Sequence, residues 1–425
     1  MTNSIMDEVN FGEEFTFKRE TLRMDVFQSF KAEQEKTEKV NSFFTPSKPV
    51  SSPSNLRGRN DEIKKILGAL TTPGRHCMIY GDRGIGKSSL ALSTLEGGKA
   101  NQVFSDVVFQ FRCIKETTFK DIIEKPALFI DDAYKNNKTE ITKKFGFRAK
   151  ILDIFTGEAG HEVKTTVERE ILTANKAAEL VRHLEAVLLI DEFDVIADDV
   201  KHQVAELVKQ LSDAGSPFKV LIVGIASDGG ALIAGHQSVI RCMHEIKLPR
   251  VEDQYLEEII INGETGLGVS FTRDIKQKII KISSGFPYFT HLICKECVDE
   301  ALRCGKNIID ASIYKDALVN AVKNSEGDLK RNYDKAVTSH KTDMYPKILL
   351  SAAKFNNEQF SVKNLIEKIK IDHGIELSSG SINNYVGNLK SERRGNILTQ
   401  VRMGIYKITD PRMPSYIILC NEASS

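Results

Sequence analysis

The stretch Gly81-Asp82-Arg83-Gly84-Ile85-Gly86-Lys87-Ser88 decides the fold of this chain. It fits the pattern G-x-x-x-x-G-K-[ST], in which a glycine-rich turn curls its backbone N–H groups inward around phosphate oxygens. The context agrees on both sides. Cys77-Met78-Ile79-Tyr80 reads as a short buried strand feeding the loop, and Ser89-Leu90-Ala91-Leu92 opens a helix straight after it. The positive N-terminus of that helix then also faces the phosphates. Lys87 is placed to reach the β- and γ-phosphates of a nucleoside triphosphate, and the Ser88 hydroxyl to hold Mg²⁺. A glycine turn matching by chance would not bring a strand before it and a helix behind it. The expected nucleotide contacts are therefore Gly81, Asp82, Arg83, Gly84, Ile85, Gly86, Lys87, Ser88 and the neighbouring Ser89.

A second motif lies 104 residues beyond Lys87, where Ala186-Val187-Leu188-Leu189-Ile190 runs into Asp191-Glu192. Such an apolar run is a buried parallel strand. An acidic pair at its end suits phosphoryl transfer, with Asp191 in the Mg²⁺ shell and Glu192 polarising the attacking water. A similar run, Leu128-Phe129-Ile130-Asp131-Asp132, is short, follows Pro126, and reads as part of a helix or surface loop. Val103–Phe111 and Val220–Ile225 are further strand candidates, so the segment from Cys77 to Leu248 alternates strands and helices as an α/β layered domain does. Residues 139–168 look like a glycine-punctuated β-hairpin inserted into it, which accounts for the long spacing. The strand Val220–Ile225 ends in Ala226-Ser227-Asp228, where Ser227 or Asp228 would either sense the γ-phosphate or simply cap the strand. Arg241, just before the apolar Ile246-Lys247-Leu248, is either an arginine finger across a subunit interface or a solvated surface residue.

Bulk properties narrow the class. A chain of 425 residues holds two or three domains. A net charge of +1 excludes a globally basic nucleic-acid binder while leaving room for a local basic patch. No stretch reaches 18 uninterrupted apolar residues, so no membrane span is expected, and the polar start of the chain lacks an apolar signal core. Seven cysteines without framework spacing point to a reducing, cytoplasmic location. His291, Cys294, Cys297 and Cys304 share one helical stretch, and one straight helix does not wrap four ligands around a metal. They read as small buried residues.

Residues 1–54 read as a polar leader and linker, with Leu22, Val26 and Phe30 on one helix face as a docking element or a strap, and with Pro46, Pro49 and Pro53 marking the linker. Residues 55–249 form the nucleotide core, 250–330 a helical lid, and 340–425 a third unit. That unit has helices near Tyr345–Ala353, Val362–Ile369 and Ser381–Arg394, then strands at Ile397–Val401 and Ile405–Ile408. This is the order of a winged helix-turn-helix.

Leu56-Arg57-Gly58-Arg59, the phosphate loop, Asp191-Glu192 and the Ser238…Arg241 segment together resemble AAA+ ATPases, with the origin-recognition initiators and the related STAND ATPases, including archaeal-type ones, as the nearest groups. The resemblance implies a parallel sheet flanked by helices, ATP and Mg²⁺ as ligands, and adenine contacts from Leu56, Gly58 and Arg59. It makes Gly285-Phe286-Pro287 the lid motif, with Pro287 at the nucleotide, and Lys87, Glu192 and Arg241 the catalytic set. It also implies a slow, nucleotide-dependent oligomeric switch acting on DNA or on a protein partner or effector, in the manner of bacterial anti-phage or mobile-element ATPases. Lys390, Arg393, Arg394 and Arg402 are the candidate contacts to duplex DNA, with Ser381, Asn383, Asn384 and Asn388 on the candidate recognition helix. The competing reading is a DNA-binding replication or transposition regulator in which nucleotide is mainly structural.

Overall fold

The computed structural model describes residues 27–28, 31, 34–136, 172–226, 228–233, 237–355 and 358–424. The candidate hairpin at 139–168, the leader residues Leu22, Val26 and Phe30, and Ser227 lie outside them.

Five strands form one parallel sheet: β1 (His76–Tyr80), β2 (Val108–Arg112), β3 (Val187–Asp191), β4 (Lys219–Gly224) and β5 (Met243–Lys247). Their order is β2-β3-β4-β1-β5, with β1 held between β4 (Cys77 opposite Leu221) and β5 (Ile79 opposite Ile246). Strands β1 and β4 are buried along their whole length and β3 up to its last residue. Covered on both faces, they read as unbroken apolar runs rather than as alternation. The second strand begins later than the expected Val103, because residues 101–104 form turns off the preceding helix. Parallel strands carry their chemistry at their C-terminal ends, and here Tyr80, Arg112, Asp191 and Gly224 all finish on that edge.

The run at Leu128–Asp132 lies within the helix Phe119–Asn136, with Ile130 buried while Leu128 and Phe129 are exposed. It is therefore an amphipathic face and not a strand.

After β5 the chain is helical: Asp253–Leu267, Arg273–Ser283, Pro287–Arg303 and Ala311–Asn324, clipped by a small parallel pair, β6 (Ser270–Phe271) and β7 (Ile308–Ile309). Cys294 and Cys297 face the apolar core, where burial pushes both thiols up, whereas Cys304 is exposed rather than buried. Beyond helix Gly327–Val337, the last unit runs helix Met344–Ala353, strand β8 (Gln359–Ser361), helices Val362–His373 and Ser379–Leu389, then strands β9 (Leu398–Arg402) and β10 (Ile405–Ile408). The three strands pair antiparallel in the order β8-β10-β9. A turn at Thr409-Asp410-Pro411-Arg412 leads into a helix, Met413–Ser424, that returns the chain to the lid. One continuous apolar cluster reaches from Val40 through the sheet's inner face and the lid to Leu419.

The segment before the core is a strap. Residues 34–43 are helical, and the rings of Phe43 and Phe44 then press onto the lid helix at Gly266 and Gly263, where an added Cβ would overlap them at 2.0 Å. Glycine is needed at both places for close approach, not for backbone freedom.

Candidate nucleotide-binding site

A cleft of about 270 Å³ opens at the C-terminal edge of the sheet, lined by the strap Thr45–Val50, the phosphate loop, Asp191, Glu192, Asp194 and lid residues Pro287, Tyr288 and His291. Gly81, Gly84 and Gly86 have φ values of +145°, +80° and +94°, which bend the loop back on itself. Lys87 is 8% exposed, and its Nζ donates to the carbonyls of Gly81 (3.1 Å) and Asp82 (2.7 Å). Burial lowers its pKa to about 8 against the pull of Asp194, Glu192, Asp191 and Asp82. The Ser88 hydroxyl donates to Asp191 Oδ1 at 3.0 Å, and Glu192 N–H donates to the same oxygen at 2.9 Å.

The structure thus brings Lys87, Ser88, Asp191 and Glu192 together across the sequence. An ammonium backed by loop carbonyls, beside a hydroxyl–carboxylate pair, is a donor set that fits a triphosphate with its divalent cation. Glu192 itself sits in the left-handed region (φ +57°), a strained backbone for a non-glycine residue.

Other expected contacts fall differently. Ile85 is buried in the core beneath the loop, so only its backbone faces the ligand. Arg59 is 4% exposed and donates to the carbonyls of Ile85 (3.2 Å) and Pro249 (2.8 Å), fastening the loop to the chain after β5. The Ser89 hydroxyl accepts from Val50 N of the strap at 3.0 Å. Arg83 turns from the loop toward Glu326 (3.4 Å) and Asp328 (3.9 Å). Pro287 opens a lid helix at the cleft wall. Asp228 caps the start of the short helix Gly229–Leu232, accepting from Ala231 N at 2.8 Å. Arg241 precedes β5 and so stands at the opposite end of the sheet from its own phosphate loop, 3.5 Å from Asp213. It cannot serve the nucleotide of its own chain.

In the last unit, Arg393, Arg402 and Lys407 are exposed. Arg394 is partly buried: its Nη1 donates to the carbonyls of Ala336 and Thr338, and its guanidinium stacks 3.9 Å over Tyr345. Lys390 donates to Gln400 at 3.1 Å, and the exposed Asn388 donates to the Tyr345 hydroxyl at 3.1 Å.

Several site residues carried no sequence signal. Asp194 Oδ1 accepts from Ile225 N at 2.7 Å and ties the end of β3 to the end of β4. Arg112, the last residue of β2, reaches Glu192. His291 Nδ1 accepts from Thr45 N at 3.3 Å, and burial lowers its pKa to about 4, so the ring is neutral and fixes the strap. None of these follows a motif; each depends on which strand ends become neighbours.

Sheet order, loop and acidic pair define an AAA-type P-loop ATPase fold. Residues 71–227 match the family described as "AAA domain". No curated protein matches the chain. Similar solved structures include the Walker-type ATPase PABY2304 of Pyrococcus abyssi (15% identity, 88% of this chain and 99% of that chain covered, TM-score 0.47). The ORC2 protein of Aeropyrum pernix in ADPNP–ADP complexes is another (13% identity, 90% and 97% covered, TM-score 0.46). A third is the RuvB Holliday junction branch migration motor of Thermotoga maritima (13% identity, 85% and 95% covered, TM-score 0.40). Among the described residues no helix is long and apolar enough to cross a membrane.

Proposed function

We propose that this chain binds and hydrolyses ATP with Mg²⁺, and that the nucleotide state sets how its C-terminal unit, read as a winged helix-turn-helix, meets duplex DNA or a protein partner. The observation that carries the ATPase reading is the 3.0 Å contact between Ser88 Oγ and Asp191 Oδ1, with Lys87 held beside it. Lys87 neutralises the β- and γ-phosphates, and the loop N–H groups orient them. Ser88 and Asp191 would hold the cation, which when bound offsets charge on the phosphate oxygens. Glu192 takes the proton of the water that attacks the γ-phosphorus as the bond to ADP breaks. The lid, through Pro287 and Tyr288, and the strap exclude bulk water.

The reading of the last unit rests on its element order and on the exposure of Arg393, Arg402 and Lys407. Arg241 serves a neighbouring copy in this scheme, which makes the active form an oligomer. One observation favours a second reading, in which nucleotide is mainly structural: Glu192 is held by Arg112.

The deciding experiment compares Glu192→Gln with wild type for ATP binding, phosphate release and DNA binding. Under the switch reading the variant retains ATP, loses turnover by about 100-fold or more, and changes its DNA or partner binding. Unchanged DNA binding together with lost turnover would favour the structural-nucleotide reading.

A further inference from the structure

Arg412 is a fully buried arginine, 0% exposed, at the entry to the last helix. An arginine is placed this way only where its charge and all its donors are met. Its Nη2 lies 2.8 Å from Asp410 Oδ2 and its Nε 3.1 Å from Asp410 Oδ1, while Nη1 lies 2.7 Å from Glu326 Oε2. Burial works against its charge, but the two carboxylates outweigh it and push its pKa up.

The same Glu326 Oε2 is 3.4 Å from Arg83 of the phosphate loop. Glu326 is fixed from its backbone, where its N–H donates to the Tyr288 hydroxyl at 2.8 Å in the cleft wall. The aliphatic stem of Arg412 lies directly under the loop: a Cβ added to Gly84 would meet its Cδ at 2.8 Å and the Phe286 ring at 3.9 Å. One oxygen therefore bridges a guanidinium of the loop and a guanidinium of the C-terminal segment, and the aliphatic stem of Arg412 supports the loop at Gly84.

We propose that Arg412 is a positioning residue for the nucleotide site, completing the phosphate loop from the C-terminal segment. This rests on the reading of that loop as the ATP site. It couples two events that otherwise involve different parts of the chain. Nucleotide binding and docking of the last helix strengthen each other by the same factor, because each stabilises the arrangement the other needs. A partner that draws the C-terminal unit away would loosen the nucleotide, and bound nucleotide would resist that partner. A brake would behave oppositely, since removing it would tighten binding.

The test uses the full chain with mant-ATP and Mg²⁺ as the fluorescent probe. If wild type does not bind mant-ATP, the ATP-site reading itself fails. If it binds, Arg412→Ala, checked for native circular dichroism, should bind about tenfold or more weaker. It should raise KM with little change in kcat, because the loop holds ground and transition state alike. Arg412→Lys should recover part of the loss, since one ammonium reaches only some of the fork's partners. Glu326→Gln, at a half-buried side chain, should weaken binding several-fold and serves as the deciding variant if Arg412→Ala does not fold. Unchanged or tighter mant-ATP binding in a folded Arg412→Ala, or in Glu326→Gln if only that variant folds, would overturn the proposal.

Discussion

Arg112 Nη2 lies 3.1 Å from Glu192 Oε1, so the carboxylate placed to activate water is engaged by a cation from the end of the neighbouring strand. Arg112 is 72% exposed. An ion pair this open is worth at most about 1 kcal/mol, so it restrains Glu192 without locking it. Arg112→Ala should raise basal ATP turnover, by no more than about fivefold given that energy. Phosphate release at saturating ATP measures this, and a fall in turnover would mean that Arg112 assists the reaction instead.

Lys87 supplies a pH dependence with a definite sign. Its folded pKa of about 8 lies below the ordinary lysine value because it is buried. Below pH 8 the ammonium is charged and phosphate binding is at full strength; as pH rises through 8 the free protein loses that charge and affinity falls. Bound phosphates favour the charged form, so binding above pH 8 takes up a proton. Titration calorimetry of ATP in two buffers of different ionisation heat, at pH 7 and pH 9, reads both effects. Lys87→Ala should lose binding at both pH values.

The fold was legible where chemistry imposes a local pattern. Gly81–Ser88 and Val187–Glu192 each announce a strand end, and from them follow the parallel sheet and its active edge. What the sequence did not disclose depends on adjacency. Arg112 matters because β2 lies beside β3, Asp194 because β3 lies beside β4, and Arg412 because the last helix folds back to the loop. Ser89 and Arg394 also bond within the chain, to Val50 N and to the Ala336 and Thr338 carbonyls, a use that no local motif announces. The expected order of three helices and a final hairpin omits β8, which at three residues is too short a strand to have a detectable period.

The strap makes a stability prediction. Phe44 is fully buried against the lid helix at Gly263. Phe44→Ala removes that ring and should cost about 3–5 kcal/mol locally. The loss should appear as a lower Tm and as faster protease cleavage near residues 45–55, because the strap then depends on Val40, on Phe43 at Gly266 and on hydrogen bonds that include Thr45 to His291, Val50 to Ser89, Ser93 to Val50 and Asn262 to Asn55. Since the strap lines the cleft, ADP should also dissociate faster from this variant. Unchanged dissociation would show that the strap covers the site without retaining nucleotide.

Arg241 separates an oligomeric enzyme from a monomeric one. It stands away from its own loop, and its pairing with Asp213 is solvent-exposed, so redirecting it to another subunit costs at most about 1 kcal/mol. Acting across an interface, Arg241→Ala should leave ATP affinity intact and lower turnover tenfold or more, and wild-type turnover per chain should rise with protein concentration. Turnover that is independent of concentration and insensitive to Arg241→Ala would assign this residue to the surface.

The individual arginines of the C-terminal unit test whether it meets DNA or protein. Arg393 and Arg402 are exposed, whereas Arg394 is spent on the Ala336 and Thr338 carbonyls and on Tyr345. If the unit grips duplex DNA through phosphates, Arg393→Ala with Arg402→Ala should weaken binding to all sequences alike. The double variant should also reduce the slope of log K against log salt by about 2, one per lost phosphate contact. Arg394→Ala should instead lower Tm, since it leaves two carbonyls without their donor. Fluorescence anisotropy with labelled duplexes at several KCl concentrations decides between these behaviours. Equal salt slopes in wild type and the double variant would remove Arg393 and Arg402 from any DNA interface and leave this end of the molecule for a protein.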